Sequence, residues 1–110
     1  MEPSSGSLSG DGMPLKVRVL LLGTFKEASG RGEVELTIPG DRADVATAIE
    51  ELLKVVGEKL ERELIDPLSG TPLPTALILL NGVEINNLEG LETEVIDGDT
   101  LTLLPVVHGG

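Results

Sequence analysis

The chain has 110 residues, 40% of them hydrophobic, which suffices for one globular domain with a single core. It has no cysteine, which excludes disulfides and thiolate metal sites, and Phe25 stands without any Trp or Tyr, so the core must be aliphatic. The net charge of −11 disfavours direct binding to nucleic acid or anionic membranes, because both are themselves negatively charged.

The acidic charge is concentrated in the carboxyl-terminal part of the chain. Residues 63–110 contain 8 Asp or Glu and no Lys or Arg, whereas residues 1–62 contain 8 basic and 11 acidic residues. This bias favours either an electropositive protein partner or simple solubility, and composition leaves both open. No segment approaches the roughly 20 apolar residues of a membrane span, and the amino end lacks a signal-peptide pattern. A cytoplasmic location is expected, because a domain of this size without disulfides suits the cytoplasm.

Two strands are predicted to form a hairpin near the amino end. Residues 1–12, rich in Ser and Gly, are expected to be a disordered extension or tag, with the domain itself spanning 13–110. Residues 16–22 (KVRVLLL) are β-branched and apolar, and residues 33–38 (EVELTI) alternate between polar and apolar. The Gly- and charge-rich residues 23–32 between them predict a turn.

One main helix is predicted after the hairpin. Asp44 is the expected N-cap, because its carboxylate can accept hydrogen bonds from the free amides of a first helical turn. The apolar residues that follow recur at helical spacing and form one stripe: Val45, Ala48, Ile49, Leu52, Leu53 and Val56. Gly57 either ends this helix or lets it resume over residues 58–65, and the three prolines of residues 66–74 predict a loop.

The last third of the chain predicts further strands. Residues 76–80 (ALILL) are typical of a buried strand, and Asn81-Gly82 is a hairpin-turn signal before a short strand over residues 83–85. A short helical turn, a tight Asp-Gly-Asp turn and the last strand are then expected over residues 86–96, 97–99 and 100–107.

The order of these elements predicts an α+β fold. One main helix packed on one face of a mixed four- or five-stranded sheet, with strongly apolar first and last strands, is the β-grasp or ubiquitin-like plan. In this plan the first and last strands lie parallel at the centre of the sheet.

The Gly109-Gly110 ending is the candidate functional group. Without a Cβ, two glycines adopt almost any backbone conformation and can approach another protein closely, and an unbranched backbone end suits activation as an acyl donor. A frayed end without function is the alternative. We interpret the Gly110 carboxylate as the group on which a partner acts, at the end of a flexible tail.

Four features of the carboxyl-terminal third together resemble one family: the strand end Leu79-Leu80-Asn81, the Leu88/Leu91 pair, the turn Asp97-Gly98-Asp99, and the ending Leu103-Leu104-Pro105-Val106-Val107-His108-Gly109-Gly110. They resemble the ubiquitin-like sulfur carriers of the MoaD and ThiS types. The His-Gly-Gly ending and the long segment over residues 58–75 look most similar to the ubiquitin-related modifier.

The resemblance implies a carrier, not an enzyme, with no bound cofactor or metal. An activating enzyme would use ATP to adenylate Gly110, and a persulfide would convert it to a thiocarboxylate. The recipients would be enzymes of tRNA thiolation, molybdenum cofactor synthesis or thiazole synthesis, and target-protein lysines could be joined to Gly110 by an isopeptide bond. The tail residues Val106, Val107, His108 and Gly109 would thread into the activating enzyme, and Pro105 would end strand pairing and release them.

Two other interpretations remain open. In one, the chain is a MoaD-type small subunit that stays bound to the large subunit of molybdopterin synthase. In the other, it is a β-grasp binding module without carboxyl-terminal chemistry, Val106 and Val107 merely finish the last strand, and His108 is a solvated side chain.

Overall fold

The structure is a computed structural model that describes residues 14–106. The predicted disorder of residues 1–12 therefore lies outside the described residues. In chain order the elements are β1 (Leu15–Leu21), α1 (Thr24–Ser29), β2 (Glu33–Ile38), β3 (Ala43–Asp44), α2 (Val45–Val56), α3 (Glu58–Leu64), β4 (Ala76–Leu80), β5 (Val83–Glu84), two 3₁₀ turns (Ile85–Asn87 and Gly90–Glu92), β6 (Glu94–Val95) and β7 (Thr100–Pro105).

Five strands form one mixed sheet in the order β2-β1-β7-β4-β5. β1 pairs antiparallel with β2 and parallel with β7, and β7 pairs antiparallel with β4. The first and last long strands are thus neighbours at the centre, as predicted, and the α+β plan is confirmed. β3 and β6 pair separately as a two-stranded ribbon.

Helix α2 forms where its apolar stripe predicted it. The Asp44 carboxylate accepts a hydrogen bond from the Thr47 amide at 2.8 Å and caps the first turn. Four residues of the stripe are fully buried, namely Val45, Ala48, Ile49 and Leu52, while Leu53 and Val56 are half-buried. Each buried Val, Leu or Ile contributes about 1.5–3 kcal/mol, so burial of this stripe against the sheet far outweighs the cap.

The expectation of a turn over residues 23–32 is wrong, because Thr24–Ser29 form helix α1. Phe25 on this helix is only 1% exposed, and α1 packs against α3. A six-residue helix is too short to be stable alone or to show an apolar period, so tertiary packing around Phe25 decides its conformation.

The helical segment does resume after Gly57, which has φ 103° and separates α2 from α3. Leu60 and Leu64 of α3 are fully buried. The main helix is therefore accompanied by two shorter helices within residues 14–106. No helix in this described part has the length and apolar character to cross a membrane.

The connections also follow the sequence closely. Residues 66–74 contain no helix or strand, as their prolines predicted. At the hairpin turn, Asn81 and Gly82 have φ values of 52° and 86°, the left-handed conformation that this pair of residues tolerates. The last strand is shorter than expected, since it ends at Pro105 rather than at position 107.

Candidate functional site

The carboxyl-terminal strand leaves the sheet between two neighbours, β1 and β4. On the β1 side, the Leu22 amide donates to the Leu103 carbonyl at 3.2 Å. On the β4 side, the Val106 amide donates to the Thr75 carbonyl at 3.0 Å. The backbone is thus attached to the sheet up to Val106, and the segment that continues to Gly110 starts from this point.

The prediction that Pro105 ends strand pairing is wrong for the β4 side, because Val106 forms one further backbone hydrogen bond there. Amides alternate in direction along a strand, so the amide of position 105 would face β1. Proline has no N–H to donate to β1. Within residues 14–106, the hydrogen bond from the Leu22 amide to the Leu103 carbonyl is therefore the last one between β7 and the β1 side. Pro105 therefore ends the ladder on one side only.

Thr75, the acceptor for Val106, is itself fixed by its side chain. Its hydroxyl donates to the carbonyls of Leu64, at the end of α3, and Pro72. The residue whose carbonyl holds the end of β7 is therefore connected both to the end of α3 and to Pro72 in the loop over residues 66–74. This arrangement makes the exit point of the chain part of the rigid domain.

An apolar patch surrounds this exit point on the sheet face opposite the helices. Cross-strand register places Thr102 between Leu20 and Leu79, and Leu104 beside Leu77. We call the following residues the exit patch: Leu20, Leu22, Leu77, Leu79, Leu104 and Val106. Leu22 and Val106 are 39% and 38% exposed, and the others are half-buried although no element of residues 14–106 covers them. A cluster of this kind at a strand end is a typical docking surface.

The remainder of the same sheet face is charged. Lys16 and Arg18 of β1 and Glu33 and Glu35 of β2 are exposed there, and Arg18 forms an ion pair with Glu33 at 3.0 Å. The apolar and charged regions are therefore separated, and the apolar one lies where the chain leaves.

Of the predicted tail residues, the structure places Val106 and no other. Val107, His108, Gly109 and Gly110 lie outside the described residues. Val106 is both bonded to β4 and exposed, so it finishes the strand and also extends the exit patch. Sequence reasoning missed the leucines of the exit patch and Thr75, because strands far apart in the chain bring them together.

Other surface features offer weaker sites. An apolar groove lies between α2, α3 and the loop over residues 66–74 and includes Ile49, Leu53, Ile65 and Leu91. Within residues 14–106 no group of three or more His, Cys, Asp or Glu is arranged to hold a metal ion. The exit of β7 is therefore the candidate functional site.

The central parallel strands, the crossing helix and the exposed exit of the last strand define a ubiquitin-like β-grasp protein. The ThiS family model matches residues 19–110, a range that includes all of the sheet except the first part of β1, together with the Gly-Gly ending. The chain belongs to the ThiS family.

Three proteins similar to this chain carry different descriptions. A "Putative sulfur carrier protein" of Archaeoglobus fulgidus is 36% identical over 76 residues, 69% of this chain and 84% of the relative. The solution structure of small archaeal modifier protein 1 from Methanosarcina acetivorans is 30% identical with a TM-score of 0.73, covering 90% of this chain and 100% of the other. A "Putative molybdopterin converting factor, subunit 1" from Pyrococcus furiosus is 27% identical with a TM-score of 0.65, covering 84% and 99%. The predicted resemblance to ubiquitin-like sulfur carriers and modifiers is confirmed.

Proposed function

We propose that this protein is a ubiquitin-like sulfur carrier and protein modifier that works through the carboxylate of Gly110. The observation that carries the proposal is the ThiS family match, which extends to residue 110. The position of the exit patch beside the root of this tail supports it, because a partner bound there receives the tail directly.

The proposed chemistry starts with adenylation by an ATP-dependent activating enzyme. A Gly110 carboxylate oxygen attacks the α-phosphorus of ATP, pyrophosphate leaves, and an acyl-adenylate forms. The terminal sulfur of a persulfide then attacks the acyl carbon, and AMP leaves. A second thiol of the sulfur donor cleaves the resulting acyl disulfide, departs as a disulfide with the first, and leaves a thiocarboxylate on Gly110.

The activated carboxyl end, as thiocarboxylate or adenylate, then takes part in one of two reactions. Sulfur transfer would serve a tRNA-thiolating enzyme, while attack by a lysine amine on the activated carbonyl would give an isopeptide bond. The similarity to archaeal modifier protein 1 supports conjugation to lysines in addition to sulfur transfer. Because activation consumes ATP, we place this function in the cytoplasm.

The domain's role in this scheme is recognition and presentation. The exit patch would dock the activating enzyme, and the tail from Val106 through Val107, His108 and Gly109 would enter its active site. Glycines at the last two positions keep the end narrow enough for a channel and leave no Cβ near the reacting carbonyl.

The second candidate function is that of a MoaD-type small subunit of molybdopterin synthase, and the similarity to the Pyrococcus furiosus protein favours it. The partner would then be a larger catalytic chain that holds the carrier in a stable complex between cycles. Affinity purification distinguishes the two functions: a stoichiometric complex with one larger chain supports the synthase, and covalent ladders on many proteins support the modifier.

Maleimide labelling after incubation in lysate of the source organism, with ATP and a persulfide donor, tests the proposal. The chain has no cysteine, so N-ethylmaleimide labels only a newly added sulfur. This reagent is needed because exchange of one oxygen for sulfur has nearly the mass of methionine oxidation. We expect ATP-dependent labelling of the native chain.

The matched controls carry one extra alanine, either after Gly110 or before Met1. The first should abolish labelling and the second should not. Labelling that survives the carboxyl-terminal extension would place the sulfur elsewhere. No labelling of the native chain, in a lysate that converts another carrier, would overturn the thiocarboxylate chemistry. A binding module would then be the remaining interpretation if isopeptide adducts of Gly110 were absent as well.

A further inference from the structure

Gly23, between β1 and α1, lies next to Pro105, the last residue of β7. Its backbone has φ 58° and ψ −133°, a combination that residues with a Cβ rarely adopt. A Cβ at this position would lie 2.8 Å from Cγ and 3.2 Å from Cδ of Pro105. The absence of a side chain at Gly23 therefore lets the Pro105 ring pack against the end of β1.

Pro105 is also held from the opposite side. It lies beside Ala76 in the antiparallel register of β7 and β4, and the next amide, that of Val106, is bonded to the Thr75 carbonyl. Because the Thr75 hydroxyl is anchored in turn to α3 and the adjoining loop, Pro105 has little room to shift towards β4. We call Gly23, Thr75, Pro105 and Val106 the root clamp.

We infer that Gly23 is a positioning residue for the carboxyl-terminal chemistry: through Pro105, it fixes the direction in which the chain leaves the sheet towards Gly110. The kinetic part of this inference rests on the proposed function. The chain that ends at Gly110 continues from the clamp, so a change of direction at Pro105 changes where the tail starts relative to a partner docked on the exit patch. Acyl activation is sensitive to misplacement on the ångström scale, and a fixed root reduces the entropy lost when the tail enters an enzyme.

A matched pair of variants separates positioning from backbone strain. Gly57 has φ 103° and ψ −167°, also a glycine conformation, but an added Cβ there meets no atom within 4 Å. Gly23→Ala and Gly57→Ala therefore both introduce backbone strain, and only the first displaces Pro105. A third variant, Gly23→Ala with Pro105→Ala, removes the ring atoms that the new Cβ would meet.

Hydrogen exchange tests the clamp without any enzyme. The Val106 amide should be protected in the native full-length chain, because Thr75 accepts its hydrogen bond. We expect Gly23→Ala to lose that protection and Gly57→Ala to keep it, with partial recovery in the double variant. Equal protection of Val106 in all four proteins would overturn the inference at its structural step.

Steady-state activation by the adenylating enzyme purified from the source lysate tests the consequence. Gly23→Ala should lower kcat roughly tenfold or more with a much smaller change in KM, because the carboxylate is misplaced while the exit-patch leucines away from the clamp, Leu20, Leu77 and Leu79, are unchanged. Gly57→Ala should leave kcat unchanged, and the double variant should be more active than Gly23→Ala alone. Damage from independent sites could only accumulate, so such a recovery identifies Pro105 as the link.

The outcomes also separate this inference from the proposed function. If Gly23→Ala loses the protection of the Val106 amide but has the same kcat as Gly57→Ala, the positioning role is overturned. The proposed carrier function is unaffected by that result. No ATP-dependent product from the native chain would overturn the carrier function itself, together with the kinetic role of Gly23.

Discussion

At the scale of single residues, Asp99 shows how this acidic chain uses a buried carboxylate to hold its last strand. Asp99 is 8% exposed, and its two oxygens accept hydrogen bonds from the Asn81 side-chain amide and the Ile96 backbone amide, each at 2.9 Å. The Asn81 side-chain oxygen accepts in turn from the Thr100 amide at 2.9 Å. The hairpin turn and the start of β7 are thereby joined by side chains that the sequence shows only as turn formers.

Replacing this carboxylate with an amide should destabilise the fold. In Asp99→Asn one side-chain oxygen is lost, and the new NH₂ group faces a donor, so a buried amide is left without an acceptor. We expect a loss of about 1–3 kcal/mol in the free energy of unfolding, measured by urea denaturation. Asp41→Asn removes the same charge from an exposed position and should change stability by less than about 0.5 kcal/mol. Equal stability of the two variants would show that the Asp99 network contributes little.

At the scale of secondary-structure elements, alternation and helical periodicity predicted the long elements well. β2 alternates strictly and has one covered face, and α2 buries the stripe that its spacing predicted. Both patterns are local, so a single sequence reveals them. The Asp44 cap and the Asn81-Gly82 turn were predictable for the same reason, since each depends on side-chain chemistry within a few residues.

The candidate site depended on information that no single segment carries. Leu20, Leu77 and Leu104 belong to three strands and become neighbours only through the register of β1, β7 and β4. Gly23 and Pro105 are likewise far apart in the chain, and nothing near Gly23 indicates that a proline ring will pack on it. The Gly-Gly ending suggests the proposed chemistry, whereas the proposed docking surface exists only in the tertiary structure.

The exit patch leads to a prediction about docking. Leu104→Thr keeps a residue that favours strands, matches the outward-facing Thr100 and Thr102, and removes apolar surface beside the exit. We expect the KM of the activating enzyme for the carrier to rise about fivefold or more, which corresponds to roughly 1 kcal/mol, with kcat nearly unchanged. Gly23→Ala is expected to do the reverse, because it should lower kcat much more than it changes KM.

Val55→Thr provides the control for this docking prediction. Val55 is 51% exposed on α2, in the layer opposite the patch, and the substitution also replaces an apolar side chain with Thr. Its KM should equal that of the native protein. A similar rise in both variants would mean that overall stability, and not the exit patch, governs recognition.

At the scale of the whole molecule, charge and fold divide the surface into two parts. The edge beyond β5 continues into turns that carry Glu89 and Glu92, both exposed, while the opposite edge strand, β2, carries Glu35. Residues 63–110 contain no Lys or Arg, and Arg42 is the one basic residue that lines a surface pocket with Glu92. A partner that approaches the exit patch from the β5 side therefore meets an excess of negative charge. An electropositive surface on the activating enzyme would then accelerate encounter at low ionic strength.

The association rate constant with the activating enzyme should therefore fall as salt is raised, because screening shortens the range of this attraction. Replacing Glu89 and Glu92 with Gln should lower the rate at low salt and flatten its salt dependence, as measured by stopped-flow fluorescence with labelled enzyme. Replacing Glu35 with Gln and Asp41 with Asn makes the same change in net charge near the opposite edge and should have little effect. If both pairs behave alike, total charge alone matters, and the acidic carboxyl-terminal half serves solubility rather than the recognition of a partner.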